Sequence, residues 1–126
     1  MPVAVGELID KLTILAIKRE RIVEPERARH VLAEFDQLQA VAQQLGLGDI
    51  EGVVAELGRQ LEGVNRELWD VEEALRAQER FGRFDAEFVA LARSVYRLND
   101  VRAALKRRIN QSSGSALVEE KSYGGD

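Results

Sequence analysis

Two cations and two amides form a stripe on the last long helical segment that the sequence predicts. Their spacings of 3, 4 and 4 residues place them on one helix face: Asn99, Arg102, Lys106 and Asn110. Guanidinium and ammonium groups on a shared face can bind a phosphate or a carboxylate. Arg102 stands where the apolar stripe of this helix would continue, so we expect its side chain to point partly inward.

An inward guanidinium needs an acidic partner, because a buried charge without one is strongly destabilising. Acids crowd the third helical segment, and three of them are expected partners of Arg102: Glu67, Asp70 and Glu73. Asp10 on the first helix and Glu72 are expected to lie close to the same group. Two interpretations stay open, namely an internal salt bridge that fixes helix register and an anion pocket formed by Arg102 and Lys106.

The spacing of Glu67 and Asp70 allows a second chemistry. Neighbouring carboxylates bind Mg²⁺ through oxygen ligands, and Glu67-x-x-Asp70 is similar to the first acidic pair of the all-α NTP pyrophosphohydrolases. The second pair of those enzymes is missing, since the fourth helical segment offers only the single carboxylate of Asp100 beside Asn99. A Mg²⁺-dependent phosphohydrolase is therefore an alternative function, against the plainer interpretation of a solvated acidic face.

Composition excludes several kinds of site. The 126-residue chain has no cysteine and one histidine, His30, so thiolate chemistry and multi-histidine metal centres are excluded, and we expect no cofactor. A net charge of −4 disfavours binding to nucleic acid or anionic membranes. The apolar start of the chain lacks the features of a signal peptide, and no apolar run is long enough for a membrane span, so we expect a cytoplasmic protein.

Apolar residues recur at helical spacing in four segments, approximately 6–21, 25–45, 50–80 and 86–110. The third segment has the most regular seam, with alternating spacings of 4 and 3: Ile50, Val54, Leu57, Leu61, Val64, Leu68, Val71 and Leu75. Gly46 and Asp85 are expected to cap helices. The sequence therefore predicts an all-α domain over residues 1–110, built as a four-helix antiparallel bundle or a long helical hairpin arrangement.

The apolar pattern also predicts how the helices pack. Ile14 and Ile17 give the first helix a second apolar face, so we expect it to pack on two sides. This feature and the long seam of the third segment favour a homodimer with coiled-coil packing. Trp69 and Tyr96 are expected to be partly buried packing residues.

Residues 111–126 are predicted to form a linker and a docking segment. The first part, 111–115, is polar, whereas Leu117, Val118 and Tyr123 are apolar side chains that a disordered end would not need. We therefore expect this segment to pack back on the bundle.

Four stretches resemble a family of short bacterial proteins of unknown function: VGELIDKLTILAIKRERI, ELWDVEEALR, FVALARSVYRLNDVRAALKRRIN and SALVEEKSY. The resemblance implies a context of surface-glycan assembly, beside or fused to glycosyltransferases. It also implies that the polar residues of these stretches recur as a set: Glu7, Asp10, Lys11, Lys18, Trp69, Glu72, Arg76, Arg93, Tyr96, Asn99, Asp100, Arg102, Lys106, Asn110, Glu119, Glu120, Lys121, Ser122 and Tyr123. Glu73 departs from the family's pattern, which has Asp there.

Polar residues drawn from both ends of the chain indicate one shared site. The predicted binding residues, with no metal ligand among them, are Asp10, Lys11, Trp69, Glu72, Arg76, Asn99, Asp100, Arg102, Lys106, Asn110, Glu120, Lys121, Ser122 and Tyr123. The predicted function is a non-catalytic binding or accessory module whose charge-paired pocket takes a small anionic ligand or a segment of a partner protein. The phosphohydrolase and a purely structural oligomerisation domain are the alternatives.

Overall fold

Four α-helices make up almost all of the part of the chain that the computed structural model describes, residues 4–46 and 52–113. Their bounds are α1 (Val5–Arg21), α2 (Pro25–Gln44), α3 (Val53–Arg80) and α4 (Ala86–Ser113). These two ranges contain no strand, so the predicted all-α fold is confirmed. α4 continues through Ser113, so residues 111–113 are helical where the sequence predicts the start of a linker.

The helices are arranged around α1. α3 and α4 pack against each other as a hairpin joined by a turn at residues 81–85, and α1 lies against both helices of this hairpin. α2 packs on α1. This position agrees with the two apolar faces of α1, since Ile17 is buried and Ile14 is half-buried.

The apolar core lies in the half of the hairpin that α1 covers. Its buried members come from the first part of α3 and the last part of α4: Val54, Leu57, Leu61, Leu105 and Ile109. Val5 and Ile9 of α1 pack against this cluster. Among the described residues, α3 has no buried side chain after Leu68, and α4 has none before Leu105. The outer half of the hairpin is therefore a pair of helices with an incompletely buried seam.

Predicted signals at the helix ends are confirmed. Oδ1 of Asp85 accepts hydrogen bonds from the backbone N–H groups of Glu87 and Phe88 at 3.2 and 3.3 Å, which caps the start of α4. Gly46 follows α2 with φ of 78°, a conformation that favours glycine at the end of a helix. Pro25 occupies the first turn of α2.

The two aromatic residues expected to pack differ in their surroundings. Trp69 is half-buried on α3, in agreement with the prediction. Tyr96 is 73% exposed, so the prediction of a packing role was wrong. The cause is its position on α4, because the neighbouring Val95 and Leu98 are half-buried and Tyr96 falls on the outward side of the helix.

Candidate functional site

Asp10 and Arg102 form a largely buried ion pair between α1 and α4. Asp10 on α1 is 2% exposed, and 28% of the Arg102 side chain on α4 is exposed. The carboxylate oxygens of Asp10 accept hydrogen bonds from Nε of Arg102 at 2.9 Å and from Nη2 at 2.6 Å. Both oxygens and one edge of the guanidinium are thus used, the bidentate arrangement that makes such pairs strong.

Asn65 and Thr13 complete the surroundings of the Asp10 carboxylate. Nδ2 of Asn65 on α3 donates to Oδ1 of Asp10 at 2.9 Å and to the Thr13 hydroxyl at 2.8 Å. The Thr13 hydroxyl donates to the backbone carbonyl of Asp10 at 2.7 Å. Since Asn65 and Thr13 are both buried, one polar network fixes α1, α3 and α4 to each other.

Opposing effects act on the Asp10 carboxyl. Burial alone raises the pKa of Asp10, but hydrogen bonds from Arg102 and Asn65 and the charges of Arg102 and Lys106 outweigh burial and lower the pKa. The hydrogen bond to Asp10 raises the pKa of Arg102. Asp10 is therefore an anion at neutral pH and holds the guanidinium in a fixed orientation.

A second set of contacts closes the start of α1 onto α4. The Lys106 ammonium binds the Glu7 carboxylate and lies 3.9 Å from Oδ2 of Asp10. Oδ1 of Asn110 accepts a hydrogen bond from the backbone N–H of Gly6 at 2.6 Å. A Cβ at residue 6 would lie 2.5 Å from the carbonyl oxygen of Lys106, so glycine is what allows this close approach. Lys106 and Asn110 therefore position α1 on α4.

The acids that the sequence suggested as partners of Arg102 lie elsewhere, so that prediction was wrong. Asp70 binds an arginine of α1 at 2.5 Å, and Glu73 binds an arginine one turn further along α3. Glu67 lines a groove on the other side of the hairpin. The carboxylate comes from Asp10 because α1 lies against the side of the hairpin to which Arg102 points.

A pocket of about 210 Å³ opens beside the Asp10–Arg102 pair. Its polar lining comes from three helices: Lys18, Asn65, Trp69, Glu72, Asn99 and Arg102. Ile14, Ile17 and Leu68 supply the apolar lining. The structure thus brings together four of the predicted binding residues, from α3 and α4: Trp69, Glu72, Asn99 and Arg102.

Several polar groups of this pocket keep hydrogen-bonding capacity that no residue in the described part of the chain uses. Arg102 uses Nε and Nη2 for Asp10, which leaves its Nη1 side free there. Lys18 forms no ion pair, and the Asn99 side chain forms no hydrogen bond, with any residue in the described ranges. The charge of Glu72 acts on Arg102 and on Arg76 and helps to raise the pKa of each, but no atom of Glu72 is within ion-pair distance of a described cation. The pocket therefore offers two cationic donors, one carboxylate acceptor and one amide.

Other predicted site residues lie away from the pocket. Lys11 and Asp100 are exposed, and Arg76 is an exposed side chain that binds Glu73 on its own helix. The remaining members of the predicted set lie outside the described residues, as does the predicted docking of the last segment: Glu120, Lys121, Ser122 and Tyr123.

Reasoning from sequence missed two buried polar residues, Asn65 and Thr13. Each is a polar residue beside the apolar stripe of its helix. A polar side chain in that position is expected to be buried with hydrogen-bond partners, and this signal could have identified both residues. Lys18 was identified only through the family resemblance, although the periodicity of α1 places it one turn after Ile14, on the side of the pocket.

The described ranges contain no group of three or more His, Cys, Asp or Glu side chains arranged to hold a metal ion. Glu67 and Asp70, the pair that suggested Mg²⁺ binding, turn to different surroundings, since Asp70 is bound to Arg21. No helix in the described ranges is long and apolar enough to cross a membrane.

Comparison with known proteins places the chain in a family without assigning it an activity. No curated protein and no solved structure matches the chain. One family does match, described as a family of unknown function, DUF6165, and the match extends over residues 1–126. The chain, whose helices α1, α3 and α4 enclose the pocket at Arg102, therefore belongs to the DUF6165 family.

Proposed function

We propose that this protein is a non-catalytic binding module whose pocket between α1, α3 and α4 takes a small hydroxylated anion. The main support for the proposal is that Lys18 and Arg102 line the same pocket. Each has N–H donors that no described residue accepts from. A phosphate or carboxylate between these two cations would accept charge-assisted hydrogen bonds from both.

The other polar groups of the pocket match hydroxyl groups on the same ligand. The Glu72 carboxylate accepts hydrogen bonds, and the Asn99 amide both donates and accepts them. The Trp69 ring lies beside them, with the Arg21 guanidinium over the ring at 5.9 Å from its centroid. This combination suits a small polyhydroxylated acid. The family resemblance implies a context of surface-glycan assembly, which makes a sugar acid or sugar phosphate the first ligand class to test.

The size of the pocket favours a small molecule over a segment of a partner protein. A volume of about 210 Å³ is below the roughly 300–1,000 Å³ of pockets that enclose drug-sized ligands. It is large enough for one anionic group and a single ring. A preformed Arg102 lowers the entropy cost of binding, since Asp10 already fixes its orientation.

We also propose, as the sequence predicts, that the protein acts in the cytoplasm as a homodimer with coiled-coil packing. The phosphohydrolase alternative has no observation in its favour, because the acids that suggested it do not converge in the described ranges. A purely structural domain remains the outcome against which ligand binding is tested.

Calorimetric titration of the full chain tests the proposal with three probes: inorganic phosphate, glucuronate and glucose. We expect glucuronate to bind, phosphate to bind more weakly, and glucose, which lacks the anionic group, to give no measurable heat. Lys18→Ala removes a charged hydrogen bond worth about 1.5–3 kcal/mol, so binding should weaken roughly tenfold or more.

Lys11→Ala is the matched control, because Lys11 lies on the same helix but is exposed and outside the pocket. It should leave the affinity unchanged, and circular dichroism should show both variants to be equally helical. Equal effects of the two substitutions, or no binding of either anion at millimolar concentration, would contradict the proposal and support a structural role.

A further inference from the structure

One face of the α3–α4 hairpin has no helix packed on it in the described part of the chain. A groove of about 220 Å³ runs along this face. Its lining alternates between the two helices: Glu67, Val71, Ser94, Arg97, Leu98 and Val101. The groove residues of α4 lie roughly 130° around the helix from the stripe that faces α1, so α1 and the open face are on different sides of the hairpin.

Apolar side chains on this face are incompletely buried. Val71, from the predicted seam of α3, and Leu98 of α4 are only half-buried, and Val101 is 46% exposed. Two helices alone cannot enclose a seam, and such seams are ordinarily closed by further helices. This face of the outer half therefore lacks a covering layer, whereas α1 lies against the opposite face, beside Trp69, Glu72 and Asn99.

The charges of the groove indicate which molecule supplies this layer. Glu67 and Arg97 line the same groove but do not bind each other, and Glu67 forms no ion pair with any described residue. The Arg97 guanidinium donates only to the Ser94 hydroxyl of its own helix, at 3.1 Å. A two-fold axis brings the same patch of both subunits together, so an acid and a base in one patch can pair across the axis twice.

We propose that a second copy of this chain covers this face, with Glu67 of each subunit paired to Arg97 of the partner subunit. Two hairpins then form a four-helix core, and the α1–α2 layer of each subunit lies on the outside. A patch that carries both signs of charge is complementary to itself, whereas a strongly acidic or basic partner would meet repulsion from one of the two residues.

This inference rests on the dimer in the proposed function and is independent of the proposed ligand. The ligand pocket at Lys18 and Arg102 lies on the α1 side of the hairpin, so it stays open when two copies associate. Ligand titration therefore tests the proposed ligand, and measurement of the oligomeric state tests the proposed interface. A negative result in one experiment leaves the other proposal unaffected.

Sedimentation equilibrium of the full chain over micromolar to submillimolar concentrations tests the interface. We expect a reversible monomer–dimer equilibrium for the natural sequence. Val101→Asp should weaken the dimer at least tenfold, because it places a carboxylate in the apolar part of the contact. Asp at this position would also lie one turn from Arg97 and would compete for it with Glu67 of the partner subunit.

Leu32→Asp is the matched control: Leu32 is also an exposed aliphatic side chain within a helix, at 44%, but it lies on α2 and outside the groove. It should leave the dissociation constant within about twofold. A monomer at all concentrations for the natural sequence overturns both the dimer and its interface. A dimer that both substitutions weaken equally, or that Val101→Asp leaves intact, overturns the interface alone.

Charge reversal tests the pairing itself. Glu67→Arg and Arg97→Glu should each weaken the dimer, because like charges would then face each other across the axis. The double variant should recover most of the natural affinity, since the pair is restored with its signs exchanged. Failure of the double variant to recover, with helicity unchanged by circular dichroism, overturns the Glu67–Arg97 pairing.

Discussion

Transfer of the Asp10 carboxylate from water to the protein interior costs free energy, and hydrogen bonds from the surrounding residues offset that cost. Arg102 takes both of its oxygens, and Asn65 adds a third hydrogen bond. Because Arg102 remains partly exposed beside the pocket, the same contact serves stability and ligand recognition. A residue that both holds helices together and faces a pocket is expected to affect folding and binding when it is changed.

Asp10→Asn tests the contribution of the pair to stability. The substitution keeps the shape of the side chain but leaves the Arg102 guanidinium without its counter-charge, so we expect the free energy of unfolding to fall by about 2–3 kcal/mol. Urea denaturation followed by circular dichroism measures this. Asp100→Asn is the control, because Asp100 is an exposed aspartate of α4 and its replacement should change the value by less than about 0.5 kcal/mol. Equal effects would show that the pair does not stabilise the fold.

Acid titration tests the lowered pKa of Asp10. The folded chain binds the proton of this carboxyl less tightly than the unfolded chain, so the unfolded state takes up more protons and stability rises with pH between the two pKa values. The difference in unfolding free energy between the natural sequence and Asp10→Asn should therefore be constant above about pH 5 and shrink below about pH 4. A difference that stays constant down to pH 2.5 would exclude a lowered pKa.

At the scale of the helices, the contact between α1 and α4 depends on the absence of a side chain at residue 6. Gly6→Ala would put a Cβ against the carbonyl oxygen of Lys106, a backbone atom that cannot rotate away. We expect α1 to shift and the free energy of unfolding to fall by about 1–3 kcal/mol. Thermal or urea denaturation measures the change.

Gly63→Ala is the opposite case and serves as the control. Gly63 lies inside α3, and a Cβ there would meet no heavy atom within 4 Å. Alanine is the better helix former, so this substitution should stabilise the fold by up to about 1 kcal/mol. Opposite changes in unfolding free energy from the same Gly→Ala substitution at the two positions distinguish a packing effect from helix propensity. A more stable Gly6→Ala variant would contradict the close approach of α1 to α4.

The helices themselves were readily predicted, because their signals are local. The regular seam of α3 and the caps at Gly46 and Asp85 depend only on neighbours within a turn or two. The partner of Arg102 could not be predicted in the same way. Periodicity tells which side of a helix faces inward, but not that α1, rather than the acidic stretch of α3, lies against Arg102.

The exposure of Tyr96 also could not be predicted from periodicity. Periodicity gives the angle of a side chain around α4 but not the width of the buried sector, which depends on how many helices surround α4. No described helix covers the outward side of α4 at Tyr96, so the buried sector is narrow there and Tyr96 is 73% exposed. Part of the pocket was predicted, since several of its polar residues were in the predicted binding set. The presence of Asn65 and Ile14 in the lining could not be predicted, because it depends on where α1 lies across the hairpin.

Across the whole molecule, burial is distributed unevenly along the hairpin. Leu61 and Ile109 are fully buried in the half that contains the core. Val71 and Leu98 in the other half are only half-buried, because α1 reaches the opposite face of the hairpin there. Segments with few buried apolar contacts open more readily than the core, and hydrogen exchange of their backbone amides is faster. The structure therefore divides the hairpin into a protected half and a half whose protection depends on what covers it.

Hydrogen exchange at two protein concentrations measures this dependence. If a second copy covers the groove, amides near Val71 and Leu98 should exchange more slowly as the concentration rises above the dissociation constant, because opening there then requires separation of the subunits. Amides around Leu61 and Ile109 should change far less, since α1 of the same chain already covers them. In Val101→Asp the outer half should exchange rapidly at both concentrations. Concentration-independent protection of the outer half would mean that nothing outside the single chain stabilises it, and the incomplete seam would then have to be stable as two helices alone.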